Sequence, residues 1–233
     1  MEAHRDSRYV SLASRASWAK GLLVVAGAVD IVAVLTGFAL YRLADKASSG
    51  TVTSAQFQAA QDRHDLVVLI QMAVYVVAGV VFIRWFHRAY ANLPAVGIEG
   101  LGRRPGWAIG AWFVPIASLF WPKQIADEIW RGSDPSLEPD QSDDWRRGRV
   151  PSFFGLWWLA FIASGFLVGV GSQLWEGAET FSALELAALV QVGGDVLGVL
   201  SGVLAYVVVD RTTERQQARA TKHATWRALL PQT

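Results

Sequence analysis

The chain has 233 residues, 52 % hydrophobic and 18 % charged, with a net charge of +1. Such a balance gives no global field to draw the protein to nucleic acid, and the absence of cysteine removes disulfides, thiolate nucleophiles and Cys-based metal sites together. The four histidines are scattered without metal-ligand spacing, so neither a metal nor any other cofactor is expected.

The hydrophobic residues are not dispersed as a soluble core requires. They stand in four blocks, with the charges between them. Residues 18–41 are broken only by Lys20 and Asp30, residues 66–86 by Gln71 and Arg84, residues 153–175 by Gln173, and residues 184–209 by Glu185, Gln191 and Asp195. A bilayer core needs about 20 apolar helical residues, and a soluble helix of that length would carry a polar face. The expected fold is therefore an all-α integral membrane protein, a bundle of four transmembrane helices over about 18–41, 66–91, 153–175 and 184–209. The first block follows basic residues, as a signal peptide does. It is too long for that, and no clear small-residue cleavage site follows, so it is expected to be a retained helix. Aromatic rings stand at the block ends as a headgroup belt would place them: Trp18, Trp85, Trp157 and Trp158 at one set, Tyr41 and Trp175 at the other.

Lys and Arg set the orientation. Of the 21, 18 lie in the N-terminal tail (Arg5, Arg8, Arg15, Lys20), the long connection from Arg84 to Arg149, or the C-terminal tail, and only Arg42, Lys46 and Arg63 lie on the other side. By the positive-inside rule, both termini and the long connection face the cytoplasm of a bacterial plasma membrane. The organisation expected is a tail over 1–17, one membrane domain over 18–210 and a second tail over 211–233. Ser48-Ser49-Gly50 signals a turn, and Thr53-x-x-Gln56 resembles a capping box that starts the second helix well outside the membrane. Ser182-x-x-Glu185 has the same pattern at the start of the fourth.

The long connection holds a fifth apolar stretch, residues 105–122, with Pro105 and Pro122 at its ends and Pro115 inside. Arg103 and Arg104 precede it and Lys123 follows. A short segment flanked by charges of one sign is expected to be re-entrant or interfacial, not spanning. A short helix over 123–131 and a polar, mobile loop over 132–151 should follow.

The run Arg84-Trp85-Phe86-His87-Arg88-Ala89-Tyr90-Ala91-Asn92-Leu93-Pro94, then Pro105-Gly106-Trp107-Ala108, Trp112-Phe113-x-Pro115-Ile116, Leu119, Pro122 and Ile129-Trp130-Arg131-x-Ser133, resembles the actinobacterial membrane family catalogued as domain of unknown function 4328. The resemblance covers roughly residues 15–215, with residues 84–133 the most specific part. Ser118 stands where the family pattern has Asn. The resemblance implies a multi-helix membrane protein and carries no assigned activity.

Two constellations remain. Asp30 lies 11 residues before the outer end of the first span at Tyr41, and Asp195 lies 11 residues after the start of the fourth at Leu184. At 1.5 Å per residue both stand roughly 16 Å below the outer surface, near the midplane. An ionised Asp there costs at least about 3 kcal/mol, so each should face the bundle interior, pair or be protonated. Gly194, Gly198 and Gly202 form a small-residue stripe beside Asp195, Ala26, Gly27, Ala33 and Gly37 another beside Asp30, and Gly165 and Gly169 lie on the third helix. Gln191, Gln71 and Gln173 would extend a polar path from the outside to the aspartates. Either this is a proton or cation site, or it locks the bundle.

The second constellation is cytoplasmic. Arg84 and Arg88 share a helix face and repel unless an anion joins them. Asp127 and Glu128 are candidates, as is a lipid phosphate. His87, Asn92, Arg103, Arg104, Trp107, Lys123 and Arg131 are near in sequence. Either they form a pocket for an anionic headgroup, or they are the ordinary basic flank with internal ion pairs. No nucleophile elbow, zinc-protease helix or phosphate loop is present. The function expected is thus a non-enzymatic membrane binding or scaffold module contacting lipid or a partner protein, or a further copy of itself, at the inner leaflet. The alternatives are a small proton- or cation-coupled transporter using Asp30 and Asp195 and, a weaker one, an intramembrane enzyme acting on lipid headgroups.

Overall fold

A computed structural model describes residues 8–48, 50–138 and 142–229. Arg5, Ser49, the loop positions Pro139, Asp140 and Gln141, and residues 230–233 of the C-terminal tail lie outside the described residues. Six helices occur in chain order: α1 (Ala13–Ser48), α2 (Ser54–Ala91), α3 (Trp107–Gly110), α4 (Trp121–Gly132), α5 (Ser152–Glu176) and α6 (Phe181–Leu229). Single 3-10 turns cover Pro94–Val96, Ala117–Leu119 and Ser142–Arg147, and no strand occurs among the described residues. α1, α2, α5 and α6 are long and apolar enough to cross a membrane. None of the eight prolines falls within them. All but Pro231 lie between α2 and α5, where each removes a backbone donor and stops a long helix from forming.

The helices outrun the apolar blocks. α2 starts where the capping pattern predicts: Thr53 N–H donates to Gln56 Oε1 at 3.1 Å, and Gln56 N–H donates back to Thr53 Oγ1 at 3.3 Å. α6 begins at Phe181, one residue before the expected Ser182 cap. Its cap is Thr180, whose hydroxyl accepts from Ala183 N–H at 3.2 Å. The other end of α6 departs further. Residues 211–229, expected to be a tail, continue the helix, and Val209, Thr212, Thr213, Gln216, Arg219 and His223 form a buried stripe along it. Hydropathy falls at Asp210 because the stripe turns polar, while the helical spacing of buried positions carries on.

The apolar stretch of residues 105–122 is not one long helix: it holds the four-residue α3, one 3-10 turn and the first two residues of α4. α4 starts at Trp121, two residues earlier than expected. Pro122 sits in its first turn, where the missing N–H has no partner to lose. Ile125, Ala126 and Ile129 form the buried face of α4. The expected mobile loop is, over its described part, docked. Trp145 is buried and donates to Glu99 O at 3.1 Å, and Arg131 Nε donates to Gly148 O at 2.9 Å.

The chain divides into two compact units. One comprises Gly21–Ala78 and Leu156–Ala205. Most of its buried positions are small or polar, among them Ala26, Ala33, Ala187, Ala188, Asp30, Gln71 and Asp195, with Leu40 and Trp157 as large exceptions, and many large apolar side chains, such as Leu35, Leu69, Met72 and Phe166, face outward. That inversion of a soluble core suits a bundle solvated by lipid. The other unit comprises Met1–Lys20, Gly79–Gly155 and Tyr206–Thr233. It has an aromatic core of Trp85, Phe86, Tyr90, Trp145 and Phe154 with Leu93, Ile98, Ile125 and Ile129. Of the described basic residues, only Arg42, Lys46 and Arg63 fall outside this second unit. Trp85, and Trp157 of the first unit, are buried, not in an aromatic belt, whereas Trp18 is 69 % exposed.

Candidate functional site

In the unit of small buried residues, α1, α2 and α6 bring three polar side chains together. Asp30 is 1 % exposed and Asp195 is 7 % exposed. No hydrogen bond joins them directly. The Gln71 amide lies between them, its Nε2 donating to Asp30 Oδ1 at 2.9 Å and to Asp195 Oδ1 at 3.1 Å. An amide nitrogen carries two hydrogens, one for each carboxyl. Tyr75, one turn along α2 from Gln71, donates its hydroxyl to Asp30 Oδ1 at 2.6 Å. Gly198 leaves the room this needs: a Cβ there would meet Tyr75 Oη at 3.1 Å, Asp30 Oδ2 at 3.3 Å and Ser164 Oγ at 3.4 Å.

The other polar and small positions separate from this group. Gln71 is level with the aspartates, not nearer the outer end. Gln191 packs over Gly171 of α5, where an added Cβ would come within 2.5 Å of the Gln191 side chain. Gln173 lies on an outward groove of α5 with Gly165 and Gly169. These two glycines do not mediate helix packing, since an added Cβ at either would meet nothing within 4 Å. The close α5–α6 approach is made at Gly171 and at Gly194, where a Cβ would lie 3.0 Å from the Val168 backbone nitrogen. Gly202 is looser, with Leu23 O nearest at 3.9 Å.

The basic constellation, in the other unit, resolves into braces and a remainder. Asp127 pairs with Lys123 one turn away, at 2.6 Å. Glu128 Oε2 accepts from the Tyr90 hydroxyl at 2.7 Å and from Gly102 N–H at 3.2 Å. Among the described residues neither of these two candidate carboxylates pairs with Arg84 or Arg88. Arg103 lies over the Trp121 ring at 4.5 Å and donates to Gln124 Oε1 at 2.5 Å, and Trp107 packs edge-on against the same ring. Arg104 is exposed and His87 half-buried. Asn92 is a core residue: its amide donates to Val10 O at 2.8 Å and to Gln216 Oε1 at 3.1 Å, and its Oδ1 accepts from Val10 N–H at 3.2 Å.

What remains is Arg84. It lines a cleft of about 420 Å³ with Val80 and Val81 of α2 and Ser14, Arg15 and Trp18 of α1. Among the described residues, Arg88, one turn on, makes a long contact to Arg8 O at 3.4 Å, and its buried Nε has no acceptor.

Several residues of this unit went unnoticed in the sequence. Gln216 Nε2 donates to Ala89 O at 2.9 Å and Ser133 Oγ at 3.0 Å. Arg219 is buried, with Nε on Val96 O at 3.2 Å and Nη1 on Asp134 O at 2.8 Å. Arg215 pairs with the Asp134 carboxylate at 2.5 Å. Burial alone would raise the Asp134 carboxyl, but hydrogen bonds from Ser136 and the charges of Arg215 and Arg219 prevail and hold it below its ordinary value. The available signal was spacing: positions 209, 212, 216, 219 and 223 continue one helical face past the last apolar block.

Among the described residues, no group of three or more His, Asp or Glu is placed to hold a metal ion. No curated protein and no solved structure matches the chain. A family model described as Domain of unknown function (DUF4328) matches residues 48–214, from the end of α1 into the second half of α6, and the chain belongs to that family.

Proposed function

We propose that the protein is a non-enzymatic membrane module that works at the inner leaflet of the plasma membrane. Residues 105–122 serve as its contact with the lipid surface. One observation carries this. Phe113 is 72 % exposed and Ile116 78 % exposed, with Phe120 and Leu119 also outward, on a segment bounded by Arg103, Arg104 and Lys123. Apolar side chains held out beside cations fit a headgroup boundary, where the rings enter the acyl region and the exposed Arg104 meets lipid phosphate. The chain lacks cysteine, so a spin label on Phe113→Cys or Ile116→Cys reports depth cleanly. Labels in the acyl–headgroup boundary of the inner leaflet are expected. Free reaction of both positions with a membrane-impermeant thiol reagent would sink the proposal.

A second reading is favoured by the Asp30–Gln71–Asp195 bridge. Two carboxyls on one amide form a place where a proton can be held and passed, with Tyr75 as a further relay. Under this reading Asp30→Asn and Asp195→Asn leave the protein folded and abolish its cellular phenotype. If the bridge only locks the bundle, the phenotype survives both substitutions.

A further inference from the structure

We propose that the cleft between α1 and α2 binds the phosphate of an anionic lipid headgroup. Its lining sets two guanidinium groups, Arg15 and Arg84, and the Ser14 hydroxyl around a floor of Val80, Val81 and the Trp18 ring. No carboxylate lines it among the described residues. The two candidate carboxylates of the cytoplasmic connection, Asp127 and Glu128, are committed to Lys123 and to Tyr90 with Gly102. Among the described residues, Arg15 and Arg84 share this cleft and neither pairs with a carboxylate; Arg15 Nη1 donates to Ser11 O at 3.5 Å. Arg88 adds a third cation one turn on, and its buried Nε lacks an acceptor among the described residues. Three like charges are held together here by the packing of two helices, and an anion is the group that relieves them.

The chemistry of the anion follows from the two halves of the cleft. Guanidinium forks match phosphate oxygens in a bidentate manner. The apolar floor asks for something more than a free ion. Val80, Val81 and an outward Trp18 would stay bare beside inorganic phosphate, but would cover the glycerol and first methylenes of a phospholipid. The cleft, at about 420 Å³, is in the size range of small-ligand sites and holds such a headgroup. Lipid phosphodiester and free phosphate share the cationic half, and only the lipid uses both. This proposal rests on placing the unit at a bilayer surface, but it concerns a different part of the fold from residues 105–122.

The test uses the full chain, purified in neutral detergent, with native mass spectrometry and thermal unfolding as readouts. The probes are phosphatidylglycerol, phosphatidylcholine and inorganic phosphate. Phosphatidylglycerol should be retained and should raise the melting temperature above the level given by phosphatidylcholine or phosphate. Arg15→Gln with Arg84→Gln should weaken its binding roughly tenfold or more, taking about 1 kcal/mol for each surface cation. Arg149→Gln, an exposed cation outside the cleft, should leave binding unchanged. If the double variant fails to fold, Arg84→Gln alone serves, since Arg84 is exposed, and a several-fold loss is expected. Wild-type retention of phosphatidylglycerol in a folded Arg84→Gln variant overturns the proposal. Equal stabilisation by inorganic phosphate overturns the lipid as the source of the anion. Loss of lipid from the cleft variants, with labels at Phe113 and Ile116 still in the boundary, separates this site from the surface contact.

Discussion

The buried bridge can be broken at one residue. Gln71→Leu nearly keeps the volume of the side chain and removes the hydrogen bonds that Gln71 makes to Asp30 and Asp195, at 2.9 and 3.1 Å, leaving Asp30 the Tyr75 hydroxyl. A hydrogen bond to a charged group contributes about 1.5–3 kcal/mol in soluble proteins, while polar pairs between membrane helices average roughly 0.6 kcal/mol because the separated helices find other partners. Here two bonds are lost at once, and two carboxyls at 1 % and 7 % exposure remain without their shared donor. The cost should lie between these limits, at about 2–4 kcal/mol. Unfolding of the purified protein in mixed micelles, followed by circular dichroism, measures it. The cause is isolated by adding Asp195→Asn to Gln71→Leu. Asp195 then no longer needs a donor for a charged carboxyl, and at least half the loss should return. A Gln71→Leu protein as stable as the wild type would show that the bridge contributes nothing to holding α1, α2 and α6 together. The same would follow if Asp195→Asn worsened the loss.

Three other outcomes are expected. Gly194→Ala places a Cβ 2.7 Å from Val168 Cγ2 and 3.0 Å from its backbone nitrogen, and should cost about 1–3 kcal/mol of overpacking; Gly165→Ala, with open space, should be neutral or slightly stabilising in the same unfolding assay. Because the Asp134 carboxyl is held below its ordinary value of 3.8, its pairing stabilises the fold in full above that value and is lost as pH falls through the lowered one, so Asp134→Asn should be less stable at neutral pH and its deficit should shrink in acid titrations below pH 3.8. Reporters fused after Leu137 and at the C-terminus should both read cytoplasmic and one inserted at Gly50 external, and opposite signals from the first two would remove the four-span topology.

The four membrane-capable helices could be read from the sequence because a helix that crosses lipid needs about 20 predominantly apolar residues in a row. That Asp30 and Asp195 come to one level of the bundle follows from counting residues along straight helices, which converts residue number into distance. What joins them does not. Gln71 lies six residues into its apolar block and Tyr75 one turn further, and no spacing within α2 says which face meets α1 and α6. That depends on rotation about the helix axis, which the small residues of the neighbours decide. Gly165 and Gly169 illustrate the limit, for a GxxxG spacing marks a smooth face but not what lies against it.

The basic residues were harder to read for a different reason. Positive charge at a membrane's inner surface is dictated by topology, so its presence carries no information about any one residue. Partners do carry it, and they come from far along the chain: Arg219 reaches Val96, Arg215 reaches Asp134, and Glu128 is taken by Tyr90. Each of these bonds removes an apparent candidate from the pool that binds anything else. Arg103 is spent on Trp121 and Gln124, and Lys123 on Asp127. The cations that stay informative are those left over after the protein's own acceptors have been assigned. By that criterion Arg84 and Arg15 stand apart from their neighbours, because both line one cleft whose other walls are apolar apart from Ser14. A soluble surface would disperse such a pair in water. A bilayer surface gives the pair a reason to persist, since the anion it needs is a component of the solvent itself.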